Sequence, residues 1–363
     1  TIIAQLGEPH QTPGNQLISS VGSTLYRALF SGDIQPLWSR ARAALNEPGV
    51  DGLRLRLALY PPAVAGLPWE SLYDPDRQEL FAASSRTPLV RIENQERYLT
   101  APRLLQAELP IRVLVACPDD PSGVINPAQA VQTLELLNSF GDEFIQADLM
   151  TGRFGLIEVS RRLDETRADI LHVITHGEPE GLLLWQDTAA VFMPAHTVRV
   201  ALERSAHLKF VLLNACLTGH SSNRTPFATV GPQLLQTGIP AVIAMQFEIE
   251  NHAAHEFSSF LYEELLAGPC PGAIDVATAT ARRNLYLRYS DRFTFGTPVL
   301  WMNAHDGQIF NLSATDRSRL SFIDYAAHRV VSTHVAPGTV ASERTEDVVE
   351  PSPAVGVPLS LIH

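Results

Sequence analysis

The chain has 363 residues, with 39 acidic against 27 basic side chains, a formal charge of −12, and 45% hydrophobic against 18% charged residues. That length and apolar share suffice for a large core or two adjacent cores, and they exclude disordered and fibrous classes. The acidic balance argues against direct nucleic-acid binding, because neutralising phosphates requires a net positive surface.

In chain order, Asn15 to Phe30 has Leu17, Val21, Leu25 and Leu29 at four-residue spacing, which predicts an amphipathic helix. A second helix is predicted from Ile34 to Leu45, and the apolar–polar alternation from Leu53 to Leu59 predicts a half-exposed strand. Strands are expected at Leu80–Ala83 and Leu89–Ile92, and polar sequence from Asn94 to Pro102 reads as a linker. An apolar strand follows at Ile111–Ala116, then the turn-forming stretch Cys117 to Gly123. Next come a helix at Ala128–Phe140, a strand at Phe144–Leu149, a helix at Phe154–Leu163 and a strand ending at His176. Helix-like sequence around His196 to Ala206 leads into a strand from Phe210 to Cys216. Beyond a loop reaching Thr225, we expect a helix at Phe227–Gln236, a strand at Ala241–Met245, and helices at Ala253–Leu266 and Ile274–Arg288. Gly296–Trp301 and Gln308–Phe310 are expected to close the sheet. This β–α alternation predicts an α/β fold with a mainly parallel sheet flanked by helices.

Three segments are expected: a small α/β layer over 1–100, a main domain over 101–312, and a tail or linker over 313–363. From about Thr333 the chain is rich in Pro, Val, Ser, Thr and Glu without helical or strand period. A start at Thr1 rather than Met leads us to expect flanking domains. No apolar run reaches membrane-spanning length and no signal core follows Thr1, so neither a membrane nor secretion is expected. Cys117, Cys216 and Cys270 form no CxxC pair, which points to a reducing cytoplasm rather than a disulfide framework or zinc cage. His252 and His255 lack a third ligand at metal spacing and read as a solvated helix face. No glycine-rich phosphate loop or nucleophile-elbow serine appears, so no cofactor or metal is expected.

Two apolar strands end in chemistry-bearing residues. Ile170 to Thr175 closes on His176-Gly177, and Phe210 to Ala215 closes on Cys216. Adjacent parallel strands of one βαβ unit present their C-terminal ends on one edge, where α/β folds place their sites. His176 and Cys216 are thus expected side by side. A cysteine attacks as its thiolate and needs a base within reach. The N–H groups of Gly177 and Cys216 would serve as oxyanion donors. The spacing thereby supports acyl transfer. Taken singly, each residue is more often plain core, as expected for Cys117 and for His172, which lies four residues before His176 on the same strand face. Trp69 and Glu70 are expected to fix the junction between the two layers.

These motifs, His176-Gly177 after an apolar strand and Leu213-Asn214-Ala215-Cys216-Leu217-Thr218-Gly219, resemble the CHAT family of caspase-like peptidases, related to separase and caspases. Leu67-Pro68-Trp69-Glu70, Ala244-Met245-Gln246-Phe247 and Gly296-Thr297-Pro298 look like further family elements. The resemblance spans about Leu17 to Phe310. It implies a caspase-like fold preceded by a pseudo-caspase-like layer, a His176 base with a Cys216 nucleophile, and a protein substrate. It also implies control by a TPR or other regulatory domain or partner, and a bacterial setting. In such folds the loop after the first strand and the position two before the cysteine help form the S1 pocket. Here those are Asp119, Asp120 and Asn214, so cleavage after Arg or Lys is expected. Two competing readings are a catalytically silent scaffold acting through protein contacts and a small-molecule-binding α/β domain. Many family members carry Glu where this chain has Leu217.

Overall fold

The structure, a computed structural model, describes residues 15–59, 62–92, 108–178, 181–216, 230–290, 292–304, 306–310, 313 and 315–316. They lie in the unit Thr1–Ile323; the second unit, Asp324–His363, falls outside them. The expected linker at 94–102, the loop after Cys216, the start of the Phe227 helix and the tail beyond Thr333 also fall outside.

Helices α1 (Asn15–Leu29) and α2 (Ile34–Ala44) open the described chain. Strands β1 (Leu55–Ala58), β2 (Tyr73–Asp74), β3 (Glu79–Leu80) and β4 (Leu89–Ile92) follow. Leu25, Phe30, Leu57, Trp69, Leu72, Phe81 and Leu89 form their shared apolar cluster. The stretch expected as a strand at Leu80–Ala83 is instead a two-residue strand followed by a 3-10 turn, Phe81–Ala83. The tight turn accompanies full burial of Phe81, which stacks against Tyr26 with 6.0 Å between ring centres, so packing overrides the strand pattern.

The larger part comprises β5 (Ile111–Pro118), α3 (Ala128–Ser139), β6 (Ile145–Gly152), α4 (Leu156–Thr166) and β7 (Ile170–Glu178). A hairpin of β8 (Gly181–Gln186) and β9 (Ala189–Pro194) precedes α5 (Ala195–Leu202) and β10 (Phe210–Cys216). Then come α6 (Val230–Leu235), β11 (Ala241–Met245), α7 (Asn251–Ala267), α8 (Ile274–Arg288) and β12 (Pro298–Met302). The β8–β9 hairpin was not anticipated. Its two-residue turn is Asp187-Thr188, with Asp187 at φ 55°, and it lacks the glycine that usually announces such a turn. Gln308 makes only an isolated bridge to Ala273, so the predicted closing strand at Gln308–Phe310 is absent and β12 is the last strand described.

The main sheet runs β1-β4-β12-β11-β10-β7-β5-β6, with the hairpin extending from β7. β6, β5, β7, β10 and β11 pair in parallel. The sheet reverses once, at the antiparallel β11–β12 pair, and β12, β4 and β1 run together in the opposite direction. The N-terminal segment thus shares the sheet of the larger part. One face packs against α3, α7 and α8, the other against α4, α5 and α6. Phe210 to Leu213 are at most 1% exposed, as a central strand covered on both faces requires. The buried Glu70 carboxylate accepts from Arg91 Nε at 3.0 Å and from Gln246 Nε2 at 2.7 Å, tying the N-terminal segment to the end of β11. That is the junction expected of this residue.

Candidate active site

The parallel register of β7 and β10 runs without interruption from Phe210↔Ile170 to Cys216↔His176. Backbone pairing therefore puts these two residues level at the C-terminal edge of the parallel strands. Gly177, next along β7, pairs with Leu182 of the hairpin. The hairpin thereby borders the edge beside His176.

His176 is 1% exposed. Its Nε2 lies 2.9 Å from Asp120 Oδ2 and 3.0 Å from Ser122 Oγ. Asp120 sits just past β5, where Asp120-Pro121-Ser122 forms a side-chain-closed turn. Its Oδ1 accepts the Ser122 N–H at 2.9 Å, its Oδ2 accepts the Ile125 N–H at 2.9 Å, and Ser122 Oγ is 2.8 Å from both oxygens. Burial pushes the Asp120 carboxyl up. The donors Ile125 N–H, Ser122 and His176 outweigh it and hold the group well below the usual carboxylate range. A charged carboxylate against Nε2 favours the tautomer with its proton there, which leaves Nδ1 as the basic nitrogen.

The residues expected to form an S1 pocket separate in the structure. Asp120 is turned onto His176, with both oxygens engaged. Asp119 faces outward, its carboxylate 55% exposed and 3.9 Å from Arg153 Nε. Arg153 lies 4.5 Å above the Trp185 ring, and Trp185 Nε1 donates to the Asp119 carbonyl at 2.9 Å. Asn214 is buried under α7. Its Nδ2 donates to Ser258 Oγ at 2.7 Å, while its Oδ1 meets no partner among the described residues. Ser122, Arg153 and Trp185 went unremarked in the sequence. An Asp-x-Ser turn beside the expected site was the available signal for Ser122; the other two depend on the unanticipated hairpin.

The spectators are as follows. Cys117 is buried, and burial, then the carboxylates of Asp119 and Asp120, raise its thiol to about 11, so it stays protonated at neutral pH. His172 is fully buried beside the Tyr262 hydroxyl at 3.3 Å, a core histidine as expected. His252 is solvated, but His255 is not: it is half-buried, and burial lowers its pKa. The helix face read as wholly solvated is thus solvated only in part. Among the described residues no cluster of His, Cys, Asp or Glu could hold a metal, and no helix is long and apolar enough to cross a membrane.

Comparison with solved structures returns two separase–securin complexes of Saccharomyces cerevisiae. One has 15% identity and a TM-score of 0.40, the other 13% and 0.41, and each match covers 66% of this chain and 15% of that one. The complex of the RgpB pro- and mature domains of Porphyromonas gingivalis matches at 11% identity and a TM-score of 0.47, covering 79% of this chain and 71% of that one. This chain therefore spans less than a sixth of the separase chains it resembles. No curated protein matches. The CHAT domain matches residues 19–314, a span that runs from α1 through β12 and includes His176 and Cys216. By that match over most of its length, the chain belongs to the CHAT domain family.

Proposed function

We propose that the chain is a cysteine endopeptidase with Cys216 as nucleophile and His176 as base. The observation that carries this reading is the level register of the two residues at one sheet edge, with Asp120 and Ser122 oriented on His176 Nε2. In the first step His176 Nδ1 takes the Cys216 proton and the sulfur adds to the scissile carbonyl. The oxyanion is received by the N–H groups of Gly177 and Cys216. His176 then returns the proton to the departing amine, leaving a thioester. Water, deprotonated by His176, hydrolyses that ester and regenerates the thiol. Asp120 acts as a positioning residue: it fixes the imidazole and balances its charge when protonated.

For the substrate we propose a protein cut after Arg or Lys. With Asp120 engaged on His176, the acceptor left open for a basic P1 side chain is the exposed carboxylate of Asp119, while Asn214, whose Oδ1 has no partner among the described residues, lies buried under α7. Control by a TPR or other regulatory domain or partner, and action in a reducing compartment, complete the proposal. A peptidyl acyloxymethyl ketone with P1 Arg tests it. Mass spectrometry should find one adduct, on Cys216, strongly reduced in His176→Ala. An adduct on Cys117 or Cys270, or labelling indifferent to His176, would refute the assignment.

A further inference from the structure

A second concavity lies apart from His176. A cavity of about 610 Å³ opens between α2, the β2–β3 turn, the segment after β3, and α8. Arg42, Arg77, Arg86 and Arg283 line it, with Glu79 as its one lining carboxylate. Four guanidinium groups thus meet at one hollow in a chain whose formal charge is −12.

Local pairing does not cancel the charge. Glu79 is committed to Arg42 Nη2 at 2.5 Å and to the Thr87 hydroxyl at 2.6 Å. Those contacts, which oppose the effect of burial, hold its carboxyl below the ordinary range. Asp74, 4.0 Å from Arg42, already accepts the Tyr26 hydroxyl and two backbone N–H groups. Arg86 donates to the Leu45 carbonyl, a neutral partner. Arg77 and Arg283 are exposed and make no ion pair among the described residues. Arg42, 7% exposed, keeps Nε and Nη1 without an acceptor among the described residues, a costly arrangement for a buried cation.

We infer that this cavity binds a small molecule carrying a di- or triphosphate. The exposed guanidinium forks of Arg77, Arg86 and Arg283 around one hollow suit several phosphoryl oxygens, each fork able to grip two. The volume falls within the roughly 300–1,000 Å³ of small-molecule sites. The overall negative charge disfavours a nucleic-acid polymer, whose many phosphates would meet the acidic remainder of the surface. Half-buried Tyr286, also lining the hollow, supplies a ring against which a nucleobase can stack.

Calorimetric titration of the full chain with inorganic pyrophosphate and, separately, ADP tests the site. Saturable binding of one equivalent is expected, weaker at high salt because the arginines are exposed. Tighter binding of ADP would assign the base a contact with Tyr286; equal binding would leave the phosphoryl chain as the whole ligand. Either Arg77→Ala or Arg283→Ala should weaken binding by about tenfold or more, and Arg161→Ala, on α4, should not change it. Both variants replace exposed side chains, and their melting should match the wild type. No saturable binding of either probe, binding that survives Arg77→Ala with Arg283→Ala, or binding of hexaglutamate alone would overturn the inference.

Discussion

The role proposed for His176 depends on its neighbours. Alone, His176 is a buried ring near a strand end; with Asp120 and Ser122 on Nε2 it is held in one orientation, and the carboxylate favours the tautomer protonated there. Asp120→Asn keeps the shape of the group but removes its charge. We expect kcat to fall by about tenfold or more with KM little changed, and Asp120→Glu to recover part of the loss. A KM effect as large as the kcat effect would instead make Asp120 part of the substrate pocket. The level placement of His176 and Cys216 could be read from the sequence because two apolar strands each carried a reactive residue near its C-terminal end. The contact between Asp120 and His176 could not, because it depends on how the turn after β5 folds back. From sequence, Asp119 and Asp120 are equivalent acids; in the structure one turns inward to His176 and the other outward to Arg153.

Elements with strong helical or strand period, such as α8 and β11, fell where the sequence put them. The misses have separate causes. Leu80–Ala83 yields its strand pattern to the burial of Phe81, and the β8–β9 hairpin turns on an Asp-Thr pair that carries little turn signal. Ile309 and Phe310 are apolar because they pack on the core, not because they pair in the sheet. Between elements, Glu70 is the joint: fully buried, it receives Arg91 and Gln246 and lies 3.9 Å from Arg282. Glu70→Ala leaves buried cations without their anion, so we expect a loss of about 3–5 kcal/mol in urea unfolding. A loss under about 1 kcal/mol would mean that the joint is dispensable.

At the scale of the molecule, acid sensitivity follows from burial. Burial, then the charge of His255, lower the His172 pKa from 6.5 to about 3. Above pH 6.5 the residue is neutral whether folded or unfolded, and it adds no pH dependence. Between 6.5 and about 3 only the unfolded chain takes up the proton, so His172 costs up to about 1.4 kcal/mol per pH unit as pH falls. His207 and His255, lowered first by burial, act in the same direction, while Glu264, raised by burial, opposes them. Asp120, whose carboxyl is lowered, contributes stability that is fully present above its unfolded value near 4, so it adds no slope between pH 7 and 5 and adds to the loss only below about pH 4. Urea unfolding at pH 7 and pH 5 should show a less stable chain at pH 5, with a shallower difference in His172→Gln. An unchanged difference in that variant would remove His172 from the account.

The fold brings His176 and Cys216 to one edge: among five parallel strands, the β7–β10 pairing closes on these two residues. The most direct test of that arrangement is hydrolysis of a fluorogenic peptide library by the wild-type chain beside Cys216→Ala. We expect release from the wild type alone, strongest with Arg or Lys at P1. Release that persists in Cys216→Ala would contradict the assignment of Cys216 as nucleophile.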